Sequence, residues 1–265
     1  MKLSSLILFV VVCSCSTPQL HINNVGDVTS GSTFYEQANT FQWKQRDSLA
    51  VEKILAGNIP SFMLTLVPVN VSIYDSIHQQ TIRATYYVTP DYISIGTSKD
   101  WARIPLTPLA AQIIADSLQC FLPTRKMVDD IYKSAVVKLA PVPMYIYRDS
   151  TVTMWQHHLI IEGQRNGKKG LIAGIKKDVV ISDQLTRSAK SNRVAIYGWH
   201  QLNGKPIQPL YTGHVNWYAD YSHGIRLVYQ KIKVNGKWMD YASIFADATL
   251  RKLLSDEIYA NVIRY

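Results

Sequence analysis

The chain has 265 residues, of which 47% are hydrophobic and 18% are charged, and its formal net charge is +9. These proportions are typical of a folded globular protein and exclude an intrinsically disordered chain. The length fits one domain or two small ones. The basic balance predicts an anionic partner, and its nature depends on the compartment in which the protein works.

The first residues predict export. Lys2 precedes an apolar run over residues 6–12, followed by small residues, which is the pattern of a secretory signal peptide over 1–14. Val12-Cys13-Ser14-Cys15 resembles the lipobox of bacterial lipoproteins, in which the signal is cut before a cysteine that then carries lipid. The resemblance implies lipid attachment at Cys15 and an anchor in the membrane of a bacterial cell envelope. A plain secretory signal is the alternative.

Outside the cytoplasm, nucleic acid is not an expected partner. The positive charge then favours membrane lipid and an anionic cell-wall or glycan polymer. Residues 15–33 are rich in Ser, Thr, Asn and Gly, which predicts a flexible tether, and 34–265 are predicted to form one folded domain.

The first half of this domain predicts strands and then helices. Alternating β-branched and aromatic residues over 69–73 and 82–88 predict antiparallel strands within a possible N-terminal β subregion over 60–96. Three helices are predicted from their capping residues, one from Thr107-Pro108, a second from Pro123-Thr124 and a third over Ser150 to Arg165.

The second half predicts mainly strands, over 171–175, 178–182, 194–200 and 224–233. Asn203-Gly204 and Asn235-Gly236 are strong hairpin signals. Lys176-Lys177-Asp178 is interpreted as a solvated turn. Strands, then helices, then strands with hairpin turns indicate an α+β fold with an antiparallel sheet, in which a helical pair precedes the main strands.

The stretch 193–229 is where a functional site is expected. It holds His200, His214 and His223, with Asp220 near the last of them, among many aromatic residues. Imidazole, carboxylate and aromatic groups in one short segment are the set that positions and attacks a polar substrate.

A cysteine and a histidine give the first hypothesis for the chemistry. Cys120 is expected just before a helix, whose positive N-terminus would stabilise the thiolate, and His223 opens a strand that could aim its imidazole as general base. Asp220 or His200 would orient His223. This order resembles the papain-like cell-wall peptidases of the NlpC/P60 kind, and it implies a cysteine hydrolase with a papain-like fold. The alternative is that Cys120 packs in the core as a small apolar residue.

Zinc is a second hypothesis, because His200, His214, Asp220 and His223 are ligand types found in catalytic zinc sites. Asp220-Tyr221-Ser222-His223 resembles part of the D,D-carboxypeptidase zinc peptidases. No other cofactor is expected.

A non-catalytic binding surface is the third hypothesis. Aromatic side chains can stack on sugar rings while His214 and Asp220 hydrogen-bond to hydroxyl groups. The aromatic residues meant are Trp199, Trp217, Tyr218 and Tyr221.

Several phrases, among them LPTRKMVDDIY, RVAIYGWHQLNGKPIQPL and YADYSHGIRLV, resemble an uncharacterised family of exported bacterial envelope proteins over residues 85–257. The resemblance implies an envelope location but no activity. The leading expectation is therefore an exported hydrolase that acts on cell-wall peptide or extracellular polymer through Cys120 and His223. The alternatives are a glycan-binding lipoprotein and a histidine-centred zinc hydrolase.

Overall fold

The computed structural model of the protein describes residues 17–22, 28–187 and 190–265. The predicted signal peptide over 1–14 and the predicted lipid-attachment residue Cys15 lie outside the described residues. Within these ranges no helix is both long and apolar enough to span a membrane.

The fold is α+β, as predicted, with 30% of the described residues in helices and 26% in strands. The helices are α1 (Gly31–Gln37), α2 (Trp43–Leu55), α3 (Pro108–Ser117), α4 (Arg125–Ser134), α5 (Thr151–Arg165), α6 (Gln184–Arg187) and α7 (Tyr241–Ala246). The strands of the first half are β1 (Val67–Asp75), β2 (Gln80–Val88), β3 (Ser94–Gly96), β4 (Trp101–Arg103), β5 (Cys120–Phe121), β6 (Val137–Lys138) and β7 (Ile172–Ala173). The remaining strands are β8 (Lys177–Val180), β9 (Ala195–His200), β10 (Pro206–Tyr211), β11 (His223–Gly224), β12 (Val228–Tyr229), β13 (Lys231–Val234) and β14 (Lys237–Asp240).

Two sheets organise the molecule. The larger has six strands in the order β14-β13-β2-β12-β5, with β1 paired to β2, and all its pairs are antiparallel. The smaller has the order β10-β9-β8-β11, and only its last pair, β8 with β11, is parallel. Because β1 and β2 belong to the larger sheet, residues 60–96 are not a separate subregion.

The predicted helix starts and hairpin turns are confirmed. The Thr107, Thr124 and Ser150 side chains accept hydrogen bonds from backbone N–H groups at the starts of α3, α4 and α5. Asn203-Gly204 connects β9 to β10, and Asn235-Gly236 connects β13 to β14. In the second turn, Asn235 and Gly236 have positive φ angles of 45° and 84°.

The continuous strand predicted over 224–233 is instead three short strands in two sheets. Residues 225–227 lead from β11 in the smaller sheet to β12 in the larger one. Between them Arg226 is completely buried and donates to the carbonyl oxygens of Thr89 (2.8 Å) and Ile172 (2.7 Å). This short segment therefore links the two sheets.

Part of the predicted tether is folded. Leu20 is buried, and its N–H donates to the Leu64 carbonyl, while the buried Thr29 donates its N–H to Asn58 Oδ1. Gly31 starts α1 so close to Trp101 that a Cβ there would lie 2.4 Å from the Trp101 backbone. The folded body therefore includes residues that their polar composition assigned to the tether.

Candidate functional site

The parallel pairing of β8 with β11 positions the site. Lys177 lies opposite His223 in this pair, and opposite Gly198 in the antiparallel pair of β8 with β9. Gly224, next to His223, packs so tightly that an added Cβ would lie 2.4 Å from the Tyr92 ring. The strand that carries His223 is therefore held closely against its neighbours.

Asp220 is the centre of a buried hydrogen-bond network. One carboxylate oxygen accepts from the N–H (2.8 Å) and the hydroxyl (2.5 Å) of Ser222, and the other accepts from Arg148 Nη2 (2.9 Å) and the Tyr218 hydroxyl (3.2 Å). Burial alone would raise the pKa of Asp220, but the interaction with His223 and the bonds from Ser222 lower it below its usual range. Asp220 is thus an ionised group that holds Ser222, Arg148 and Tyr218 around its carboxylate.

His223 is fixed by this network in one tautomer. The backbone N–H of Asp220 donates to His223 Nδ1 at 2.7 Å, and because a backbone N–H can only donate, the neutral imidazole carries its proton on Nε2. Burial lowers the pKa of His223 to about 4, although Asp220 acts in the opposite direction. The ring is 1% exposed, and its Nε2 has no hydrogen-bond partner among the described residues. His223 therefore presents an unused donor and is not poised as a base.

His214 lies beside His223, with ring centroids 6.0 Å apart and the rings perpendicular. The rings of Tyr211 and Tyr218 flank the His214 ring, with centroid distances of 5.2 and 4.8 Å. His214 is half-buried, and burial lowers its pKa, so the imidazole is neutral at neutral pH and within reach of solvent. We call His214 and His223 the imidazole pair.

Two lysines lie near the imidazole pair. Lys177 is the first residue of β8, and Lys176 comes just before this strand. Lys177 is 7% exposed, its Nζ lies 5.0 Å from the centre of the Trp199 ring, and burial lowers its pKa. Lys176 is 1% exposed and donates to the Tyr221 carbonyl, and burial lowers its pKa to about 7. The interpretation of Lys176-Lys177-Asp178 as a solvated turn is therefore wrong.

His157 joins this buried group from α5. Its Nδ1 lies 3.3 Å from Lys176 Nζ, and its Nε2 has no hydrogen-bond partner among the residues that the structure describes. Burial lowers the pKa of His157. Charged and titratable groups are rarely buried together without a functional reason, and perturbed pKa values concentrate at active sites. The two lysines interrupt an apolar run over 171–182, which is a sequence signal for their burial that the prediction of a solvated turn overlooks.

Cys120 does not join the imidazole pair. It lies in β5 of the larger sheet, opposite Tyr229, whereas His223 lies in the smaller sheet. Its thiol donates to the Leu118 carbonyl (3.3 Å) at the C-terminal end of α3, where the helix dipole opposes a thiolate, while α4 begins only at Arg125. Burial raises the Cys120 pKa, so the geometry fits the alternative of a small apolar core residue and does not support the nucleophile.

His200 also belongs elsewhere. Its Nε2 contacts Asp129 Oδ1 at 2.9 Å, and its ring stacks on Tyr132 with centroids 4.5 Å apart. Both partners lie on α4, so His200 neither orients His223 nor meets His214. Of the three histidines named as possible zinc ligands, only His214 and His223 therefore lie together.

The predicted aromatic surface is only partly accessible. Trp199 and Tyr221 are 6% and 1% exposed and cannot stack on a ligand, whereas Trp217 is 44% exposed and Tyr218 is half-buried. Trp217 and Tyr218 line a cavity of about 380 Å³ together with the start of α2, including Trp43, and the start of α5. We call this the tryptophan cavity. Trp43 was not predicted.

Among the described residues, no group of three or more His, Cys, Asp or Glu side chains is placed to hold a metal ion. The zinc hypothesis therefore has no ligand set in this part of the chain. Comparison of the chain with protein-family models, curated proteins and solved structures finds no match.

Proposed function

We propose that this chain is an exported hydrolase that cleaves an acyl bond, an ester or an amide, in a cell-wall or other extracellular polymer, with the imidazole pair as its reacting groups. The observation that carries the proposal is the unpartnered Nε2–H of His223, buried beside the accessible neutral ring of His214. An unsatisfied buried donor costs about 1–3 kcal/mol, which favours a role in which a ligand completes the bond.

The two imidazoles suit complementary roles. Neutral His214 accepts a proton from water as the water oxygen attacks the substrate carbonyl, and then returns that proton to the leaving oxygen or nitrogen. His223 donates from Nε2 to the oxyanion that forms in between, once substrate binding displaces the side chains that cover this buried atom. The ammonium of Lys177, opposite His223 in the sheet, adds positive potential where this negative charge develops.

The acyl bond is favoured over a glycosidic bond because glycoside hydrolysis usually needs two carboxyl groups on either side of the bond. Asp220 is in contact with His223, but its two carboxylate oxygens already accept four hydrogen bonds. A covalent mechanism is also disfavoured. Ser222 is fully buried and donates to Asp220, and Cys120 lies in the other sheet.

The location is part of the proposal and is supported by the sequence pattern. The signal-like residues 1–14 and the lipobox-like Cys15 support a location in a bacterial envelope with an anchor in membrane lipid. The net charge of +9 would attract an anionic cell-wall or glycan polymer to the molecule.

The test uses the purified protein with para-nitrophenyl acetate, purified peptidoglycan and acetylated polysaccharides, and measures nitrophenol, new amino groups and free acetate. His214→Gln is expected to lower kcat by about 10²-fold or more, since a positioned general base contributes roughly 10²–10⁴-fold. The wild-type rate should rise with pH through an inflection below the usual pKa of histidine, because burial lowers the pKa of His214.

The matched control is Cys120→Ser, which should hydrolyse the same substrate at the wild-type rate. Loss of activity in Cys120→Ser with retention in His214→Gln would restore the cysteine mechanism and overturn this one. Wild-type protein that turns over none of these substrates would also overturn the hydrolase proposal.

A further inference from the structure

The tryptophan cavity combines aromatic faces with unused polar groups. Three tryptophans are more than a third exposed, Trp43 (36%), Trp217 (44%) and Trp238 (49%), and the first two line this one cavity. Exposed aromatic rings that share a pocket usually mark a binding site. The volume of about 380 Å³ is near the lower end of the roughly 300–1,000 Å³ found for small-ligand sites.

The polar lining matches hydroxyl groups. Asn39 offers an amide that donates and accepts, and Asp149 offers acceptor oxygens; both side chains are exposed at the cavity, and neither makes a hydrogen bond to another described residue. A sugar hydroxyl both donates and accepts, and the apolar face of a sugar ring packs on an aromatic face.

The charges at the cavity favour a neutral sugar over an acidic one. Arg46 lines the wall, but its guanidinium is 2% exposed and bonded to Asp47 at 2.8 and 3.0 Å, so its charge is compensated. Asp149 adds an uncompensated negative charge at the surface and would repel an acidic ligand.

The cavity also adjoins the reacting groups. Tyr218 forms part of its wall, donates its hydroxyl to Asp220, and lies with its ring 4.8 Å from His214 and 5.8 Å from His223. A ligand seated against Tyr218 would therefore place its next bond beside the imidazole pair.

We infer that the tryptophan cavity is a subsite for one neutral sugar residue of a glycan, held between Trp43 and Trp217 with its hydroxyls on Asn39 and Asp149. The role of this sugar as part of a substrate rests on the proposed hydrolase; its binding does not. Four groups from three separate segments of the chain build the subsite, and the anionic parts of a polymer would bind elsewhere on the basic surface.

Binding is measured by isothermal titration calorimetry of the purified protein with four neutral oligosaccharides: chitotriose, cellotriose, xylotriose and maltotriose. At least one should bind with a Kd of about 1 mM or tighter. Trp217→Ala and Trp43→Ala should each weaken that binding by at least about tenfold, and Trp217→Phe should recover part of it. Trp238→Ala is the matched control, because Trp238 is equally exposed but lies on β14, and it should bind as the wild type does.

The outcomes separate the subsite from the hydrolase. No binding of any of the four sugars, or binding that Trp217→Ala and Trp43→Ala leave unchanged, overturns the subsite whatever the activity. Binding that persists in His214→Gln supports the subsite independently of the chemistry. Binding without any turnover in the wild type supports the subsite, overturns the hydrolase and leaves a glycan-binding lipoprotein.

Discussion

Replacement of His223 by Asn should remove a defined part of the pH dependence of stability. Asn can keep an acceptor for the Asp220 N–H but does not titrate. In the wild type the folded-state pKa of His223 is about 4, below the roughly 6.5 of an unfolded histidine, so the unfolded state binds a proton first as the pH falls. The stability that neutral His223 supports is therefore complete above about pH 6.5 and is lost as the pH falls toward 4.

The size of the effect follows from the two pKa values. Each pKa unit of difference corresponds to about 1.4 kcal/mol, and at about pH 4.5 nearly two units of this difference are expressed, which gives roughly 2–3 kcal/mol. Because His223 is 1% exposed, solvent screening should reduce this value little. Between about pH 7.5 and 4.5, the wild type should lose roughly 2–3 kcal/mol more unfolding free energy than His223→Asn does.

Urea unfolding followed by tryptophan fluorescence measures the difference at each pH, with equal m values required of both proteins. His157 and His158, whose pKa values burial also lowers, titrate in both proteins and cancel in the comparison. Parallel stability curves for the two proteins would show that His223 is not a neutral buried group in the folded state, and the reasoning about its donor role would fail with it.

Two further predictions concern the cysteines. Cys120 should not react with a thiol reagent in the folded protein but should react after unfolding, because burial raises its pKa and leaves it 4% exposed; rapid reaction in the native state would contradict the core assignment. Cys15→Ser should move the protein from the membrane fraction to the soluble exported fraction of the producing bacterium, as measured by fractionation and immunoblotting, whereas an unchanged membrane fraction would argue against lipid attachment there.

The parts of the fold that depend on neighbouring residues could be predicted from the sequence. Capping by Thr107 and Ser150 and the turn at Asn203-Gly204 are set within four residues of chain, so local chemistry decides them. His214 and His223 lie nine positions apart in one segment, so the sequence could also direct attention to both residues, but not to their contact.

The errors came from pairing between distant segments. Whether Lys177 faces solvent depends on β8 lying between β9 and β11, and the parallel partner His223 is 46 positions away in the sequence. Cys120 was misplaced because β5 pairs with β12 rather than with a strand of the smaller sheet. Trp43 was missed because the cavity joins three segments that no sequence pattern connects.

The segment that joins β11 to β12 has a consequence for how such a molecule can diversify. His223 lies in the smaller sheet, and the chain runs from it directly into the larger one, with Arg226 between them bonded to the carbonyls of Thr89, next to β2, and Ile172, in β7. The walls of the tryptophan cavity, by contrast, come from a loop and two helix starts that lie outside both sheets. Substitutions in these walls other than Tyr218, which bonds to Asp220, would change the fit of the proposed sugar and leave the imidazole in register, so that ligand preference and the proposed chemistry could evolve separately in this architecture.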